Sequence, residues 1–252
     1  MAAMGQRLIL ACFAVGLTAA QAAPTCDVTA YGAKNDASAR STKAINDAIQ
    51  ACAKLGGGTV YFPAGTYETG AIELASNIVL NIDAGATLRF HTDLTEYPLV
   101  PGRSEGTEGI TPAPLIGGRN LQNVTITGRG TLTTDNAAWV RLMNNPEARA
   151  MWTSIQNRLE NHEKVPDADY RKAALSLRPS FIRPMDSKNI LIEGIHIVGS
   201  SMWAIHLLYC ENVVVRNVII ETYPGANPDG IDVESSREVR ISDSYFDTGD
   251  DA

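Results

Sequence analysis

Asn189-Ile190-Leu191-Ile192 is followed, 23 residues further on, by Asn212-Val213-Val214-Val215, and both repeat the pattern of Asn77-Ile78-Val79-Leu80 and Asn123-Val124-Thr125-Ile126. Glu238-Val239-Arg240-Ile241 is a degenerate fifth copy, 26 residues after Asn212. Each copy is a short apolar stretch of strand length, and Gly, Asn and Asp separate one stretch from the next. A period of this size, made of strands without intervening helices, is the signature of a solenoid whose coils stack their strands. No coil can bury its own apolar face, so neighbouring coils supply the core. The recurring Asn suits a turn position where its side chain bonds nearby backbone or forms a ladder with its counterpart in the next coil. A β-sandwich would instead show hairpin turns and strands roughly every 8–12 residues, with no longer repeat.

N-terminal to the repeats, Cys26–Gly32 reads as a short strand. Ser41–Leu55 has helical periodicity, with Ala44, Ile45, Ala48, Ile49 and Cys52 on one face. Ser41 or Thr42 is expected to cap this helix and Gly56-Gly57-Gly58 to stop it. One amphipathic helix ahead of a long β region suits a cap over the open end of a solenoid. Residues 136–179 interrupt the repeats with a segment rich in Arg, Glu and Asn. There Trp139, Leu142, Met143, Met151, Trp152, Ile155 and Leu159 fall at roughly helical spacing. This insertion reads as a partly helical elaboration on one side of the solenoid, either bordering the binding face or packing on the surface without a role there.

The chain opens with Arg7, the apolar run Leu8–Ala20 and the small-x-small pattern Ala20-Gln21-Ala22. This predicts a cleavable secretory signal over residues 1–22 and a single domain over 23–252. The apolar run is too short to cross a bilayer, and no later segment reaches about 18 apolar residues. A secreted or periplasmic protein, monomeric and without a membrane partner, is expected. The formal net charge of −7 offers no basic field for nucleic acid or anionic lipid. Cys12 leaves with the signal. Export permits disulfides, and a Cys26–Cys52 bridge would tie the first strand to the first helix, the alternative being two buried free thiols. Cys210 is expected to be an inert core residue.

When the last two coils are superposed, Val213 falls on Val239, Val215 on Ile241, Ile220 on Phe246, and Asp229-Gly230 on Asp251-Ala252. Stacked strands lie about 4.8 Å apart, so Asp229 and Asp251 are expected on one face with Asp250 beside them. One coil earlier, Ile205 aligns with Ile231, which places Trp203 beside Asp229 and His206 beside Asp232. Carboxylates crowded on such a ridge raise at least one pKa. That provides the protonated acid and the ionised partner that glycoside hydrolysis requires. The same spacing also fits a calcium site or plain turn chemistry at the corners of the solenoid, and the residues alone leave the three open.

Asn227-Pro228-Asp229-Gly230-Ile231-Asp232, followed one coil later by Gly249-Asp250-Asp251, resembles the signature of family 28 glycoside hydrolases, the polygalacturonase family. Its usual form is Asn-Thr-Asp and then Gly-Asp-Asp. The resemblance runs in order through Val28-Thr29-Ala30-Tyr31-Gly32-Ala33, Gly56-Gly57-Gly58-Thr59-Val60, Pro63-Ala64-Gly65-Thr66-Tyr67, Ala84-Gly85-Ala86-Thr87-Leu88 and Trp203-Ala204-Ile205-His206. It implies a right-handed parallel β-helix that cleaves α-1,4-galacturonide bonds in pectin or polygalacturonate by an inverting, single-displacement mechanism, with no metal or other cofactor. Matched position by position, Asp250 takes the part of the general acid, and Asp229 and Asp251 that of the pair activating water. Asn227, Trp203, His206 and Asp232 are the expected substrate contacts. The long insertion could close one end of the cleft, which favours exo action.

Pro228 stands where Thr is commoner and Ala252 where Cys is often found; neither removes a carboxylate. The family's later Gly-His-Gly and Arg-Ile-Lys motifs do not occur up to Ala252, and His91, His162, His196 and His206 do not match the histidine of the first. The chain is therefore expected to be the N-terminal part of a longer enzyme and to be inactive alone. The alternatives are a rhamnogalacturonan or other uronic-acid hydrolase on the same scaffold, and a noncatalytic carbohydrate-binding β-helix. A calcium-dependent lyase is disfavoured, because no Arg or Lys aligns in register with the acids.

Overall fold

A computed structural model describes residues 23–252; the signal predicted over residues 1–22 lies outside the described residues. The repeats build a right-handed parallel β-helix with two seven-stranded sheets and one five-stranded sheet. The strands that carry the Asn motif all lie in one seven-stranded sheet, made of Thr25–Asp27, Gly58–Phe62, Ile78–Ile82, Gln122–Gly128, Lys188–Glu193, Glu211–Arg216 and Arg237–Ser242. In this sheet Val60, Leu80, Ile126, Ile192, Val215 and Ile241 stand in one continuous register. The first five are buried. Each such side chain contributes roughly 1.5–3 kcal/mol by leaving water, and a slip of one residue would turn the whole column outward. The apolar alternation therefore sets the register. Val213 over Val239, Val215 over Ile241 and Ile220 over Phe246 pair as the sequence predicts.

The Asn positions form the expected ladder. Asn77, Asn123, Asn189 and Asn212 have φ of 61, 56, 57 and 55°, the left-handed region that a short polar side chain tolerates best among non-glycine residues. The amide of Asn123 donates to Asn77 Oδ1, that of Asn189 to Asn123 and that of Asn212 to Asn189, each at 2.9 Å. Glu238 keeps the conformation, φ 57°, but has no amide to extend the ladder.

Helix α1, Thr42–Lys54, caps the N-terminal end and adds Ile45, Ala48, Ile49 and Cys52 to the core. Ser41 stands at the N-cap as expected and its carbonyl accepts from Ile45 N at 2.9 Å, but neither hydroxyl caps the helix: that of Ser41 accepts from Lys34 N at 2.9 Å and that of Thr42 from Gly70 N at 2.7 Å. The strand expected over Cys26–Gly32 covers Thr25–Asp27 only. Val28–Tyr31 turns as a 3-10 helix, because the Asp27 carboxylate accepts from Thr29 N at 2.8 Å. The expected Cys26–Cys52 bridge is corrected as well, since both are buried free thiols. Within the core under α1 the Cys52 sulfur points at the carbonyls of Thr59 and Pro24, at 3.7 and 3.9 Å, and the two cysteines fill space as small apolar groups. Cys210 is buried and unpaired, as expected.

The insertion is helical, with α2 at Asn136–Leu142, α3 at Pro146–Glu160 and α4 at Asp167–Ala173. Trp139 enters the main core and donates from Nε1 to Thr134 at 2.8 Å, whereas Trp152, Ile155 and Ala173 form a small core of their own. An antiparallel hairpin, Leu99–Ser104 with Thr107–Pro112, was not anticipated. Its two-residue turn is Glu105-Gly106, with φ of 46° and 82°. The hairpin is tied to the outer face of the five-stranded sheet, where Arg103 Nε meets Glu234 at 2.9 Å.

Candidate active site

The five-stranded sheet consists of Ile72–Glu73, Ile116–Arg119, Ile182–Met185, Ile205–Leu208 and Ile231–Glu234. Ile205 pairs with Ile231 and His206 with Asp232, as the superposed coils predicted. The ladder continues before the strands begin: Phe181 N donates to Trp203 O at 2.9 Å, Ala204 N to Asp229 O at 3.0 Å and Gly230 N to Asp251 O at 2.8 Å. These bonds put Ser180, Trp203, Asp229 and Asp251 in one row across the coils. A second row, three residues on, is Glu73, Gly117, Arg183, His206 and Asp232.

Asp229, Asp250 and Asp251 converge, with one carboxylate oxygen of each within 4.8 Å of the others. Asp229 is buried and its Oδ1 has no hydrogen-bond partner, while Asp250 and Asp251 are exposed. Burial first, and then the charge of Asp250, push Asp229 up to about 6. Asp232 joins the cluster from the neighbouring row. Burial and then the charges of Asp229 and Asp251 push it up to about 7, and its Oδ2 also lacks a partner. At mildly acidic pH the cluster therefore retains protons on its two enclosed carboxyls. The same oxygens could grip a divalent cation, so geometry alone does not separate acid–base work from metal binding.

The other expected site residues divide. Trp203 is half-buried, one strand before Asp229, and its ring meets that of His206 edge-on at 4.9 Å. Asn227 adopts φ 48° and accepts from Arg178 Nη2 at 2.7 Å, which holds the turn leading into Asp229. His206 requires a correction. It is fully buried and both ring nitrogens are occupied, Nε2 by Glu234 at 2.9 Å and Nδ1 by Ser180 at 3.3 Å. Burial, with Arg183 and Arg103 adding to it, lowers His206 to about 3, so the imidazole is neutral. A carboxylate can only accept, so Nε2–H donates to Glu234 and Nδ1 accepts from the Ser180 hydroxyl. In this state His206 braces Trp203 and Glu234 and has no free nitrogen for a sugar.

Two arginines escaped the sequence reading. Arg178 is buried and donates to Ser201 O at 2.9 Å, to Ala226 O and to Asn227. Arg183 stands in register with His206 and Asp232, whereas the row of Asp229 and Asp251 holds Ser180 and Trp203 and, as expected, no cation among the described residues. The signal was present one coil further back, where Phe181-Ile182-Arg183 aligns with Ala204-Ile205-His206. It was obscured by the insertion that precedes it.

The fold and site define a parallel β-helix that carries a carboxylate cluster on the outer face of its five-stranded sheet. The chain belongs to the family described as rhamnogalacturonase A/epimerase, pectate lyase-like, which matches residues 25–162. It is 28% identical over 249 residues to an exo-poly-alpha-D-galacturonosidase of Dickeya chrysanthemi, covering 90% of this chain and 41% of that protein. The crystal structure of a hyperthermoactive exopolygalacturonase from Thermotoga maritima superposes with a TM-score of 0.83 at 33% identity, covering 90% of this chain and 53% of that one. The family 28 exopolygalacturonase of Yersinia enterocolitica gives a TM-score of 0.70 at 26% identity, over 92% and 44% of the two chains. The chain thus spans about half the length, or less, of these relatives.

Proposed function

We propose that this chain is part of a secreted glycoside hydrolase that cleaves α-1,4-galacturonide bonds in pectin from the chain end. The observation that carries the reading is the convergence of Asp229, Asp250 and Asp251 within 4.8 Å on one face. Its likeness to exopolygalacturonases over nine-tenths of the chain supports the substrate class and the exo mode. The family resemblance gives Asp250 the part of delivering a proton to the leaving oxygen and Asp229 and Asp251 that of activating water, so Asp229, raised to about 6, acts as a base in its ionised form. Asp232 stores a proton beside them, and Trp203 offers a ring face to the sugar.

Inversion rests on the family resemblance alone. The nearest oxygens of the three acids are closer than the roughly 6.5–9.5 Å between carboxyls of most inverting enzymes, and nearer the roughly 5–5.5 Å of retaining ones. The test is digestion of polygalacturonate by the full-length protein, followed by NMR. β-Galacturonate as the first product, released singly and undiminished by a chelator, is the expected result. The α anomer first would overturn inversion. An unsaturated product would make the protein a lyase, and binding without turnover would leave a noncatalytic β-helix.

A further inference from the structure

Arg183 is 4% exposed and forms no ion pair among the described residues. Its contrast with Arg178 is chemical. Arg178 spends its guanidinium on two backbone carbonyls and the Asn227 side chain. The guanidinium of Arg183 reaches one neutral oxygen, the Thr111 hydroxyl, from Nη1 at 3.3 Å and from Nη2 at 3.2 Å. A guanidinium presents five N–H donors and stays charged at physiological pH. A buried charge left with one neutral partner is unstable unless something else supplies the opposite charge.

Arg183 is one of the residues lining a cavity of about 540 Å³ bordered by the 99–112 hairpin, the start of α1 and the first three strands of the five-stranded sheet, with Arg40, Lys43, Arg119, Glu73 and Glu96 as its other charged residues. That volume lies within the roughly 300–1,000 Å³ of small-molecule sites. Ile72, Pro98, Val100, Pro101 and Met185 make most of the wall apolar, as the C–H face of a sugar ring requires. Two glycines let the neighbouring chain approach Arg183 closely. A Cβ at Gly102 would lie 2.4 Å from Thr111 Oγ1 and 3.0 Å from Arg183 Nη2, and one at Gly117, the partner of Arg183 in the ladder, would lie 2.3 Å from the Arg183 carbonyl. Arg183 shares its row with Asp232, two strands away. That separation is about 10 Å, close enough for one bound oligomer to meet both.

We propose that Arg183 and this cavity form a subsite that takes the carboxylate of a uronic-acid residue, the negative charge being supplied by the ligand. The sugar ring lies against the apolar wall, and its carboxylate receives the Arg183 donors that Thr111 leaves unused. This deepens the hydrolase reading and rests on it only for the choice of sugar.

The test is calorimetric titration of the chain with D-galacturonate and with its methyl ester, which differ only in the charge at issue. Galacturonate should bind, and the ester should bind about tenfold more weakly or worse, the loss of one charge-assisted pair. Arg183→Gln should abolish the preference. Thr111→Asp, which places a carboxylate against the guanidinium at nearly constant volume, should do the same while keeping the arginine and its packing. Equal binding of acid and ester, or unchanged preference in either variant when circular dichroism shows it folded, would overturn the subsite. Hydrolysis of polygalacturonate by the full-length protein is read separately. Selective binding without hydrolysis would retain the subsite and reject the hydrolase, and hydrolysis without charge-selective binding would do the reverse.

Discussion

Replacing Asp232 by Asn tests the electrostatics of the cluster without changing its shape. Burial and the charges of Asp229 and Asp251 push Asp232 from its usual 3.8 up to about 7. At 1.36 kcal/mol per pKa unit, the ionised form is disfavoured by roughly 4 kcal/mol if the site is taken as wholly enclosed. Asp232 is only half-buried, and solvent screening reduces this to about 1–2 kcal/mol. The sign follows from proton binding. Between about pH 4 and 7 the folded state holds a proton on Asp232 that the unfolded state has released, so stability falls as pH rises through that window. Below it both states are protonated and the penalty vanishes. Asp232→Asn should therefore melt about 2–8 °C above wild type at pH 8, using roughly 2–4 °C per kcal/mol for a domain of this size. At pH 4 the two should melt together. Calorimetric melts at both pH values decide it. An equal gain at the two pH values, or a loss at pH 8, would refute the crowding argument.

Four further outcomes are expected. In the full-length protein Asp250→Asn should lower turnover by about two to four orders of magnitude with little change in affinity. Asp229→Asn and Asp251→Asn should combine far less than additively, because they act on one water; steady-state kinetics of the singles and the double decide this. Trp203→Ala should raise KM by up to about tenfold, the loss of one aromatic contact, with less effect on kcat; two unchanged constants would remove Trp203 from the cleft. Asn189→Ala loses two ladder hydrogen bonds and the short polar side chain that tolerates the left-handed turn, so it should destabilise by about 2–3 kcal/mol in urea unfolding. Asn189→Gly, which keeps the turn, should be milder.

The sequence by itself determined the solenoid, its register and the meeting of Asp229 with Asp251. These follow from short-range periodicity: an apolar residue every second position and an Asn once per coil leave one register that buries the aliphatic column. The capping face of α1 and the helical insertion were legible for the same reason, since each is a local amphipathic pattern. Tertiary structure decided what depends on coverage. His206 occupies the predicted row, but the chain around it seals it and takes both ring nitrogens, so a residue placed correctly along the strand is unavailable to a ligand. The hairpin over residues 99–112 carries no repeat signal, yet it folds across the sheet and creates the cavity beside Arg183. Which carboxyls keep their protons was also outside the sequence's reach. Asp229, Asp232, Asp250 and Asp251 are the same chemical group, and only enclosure by neighbouring coils, which removes water from two of them, makes their proton affinities unequal.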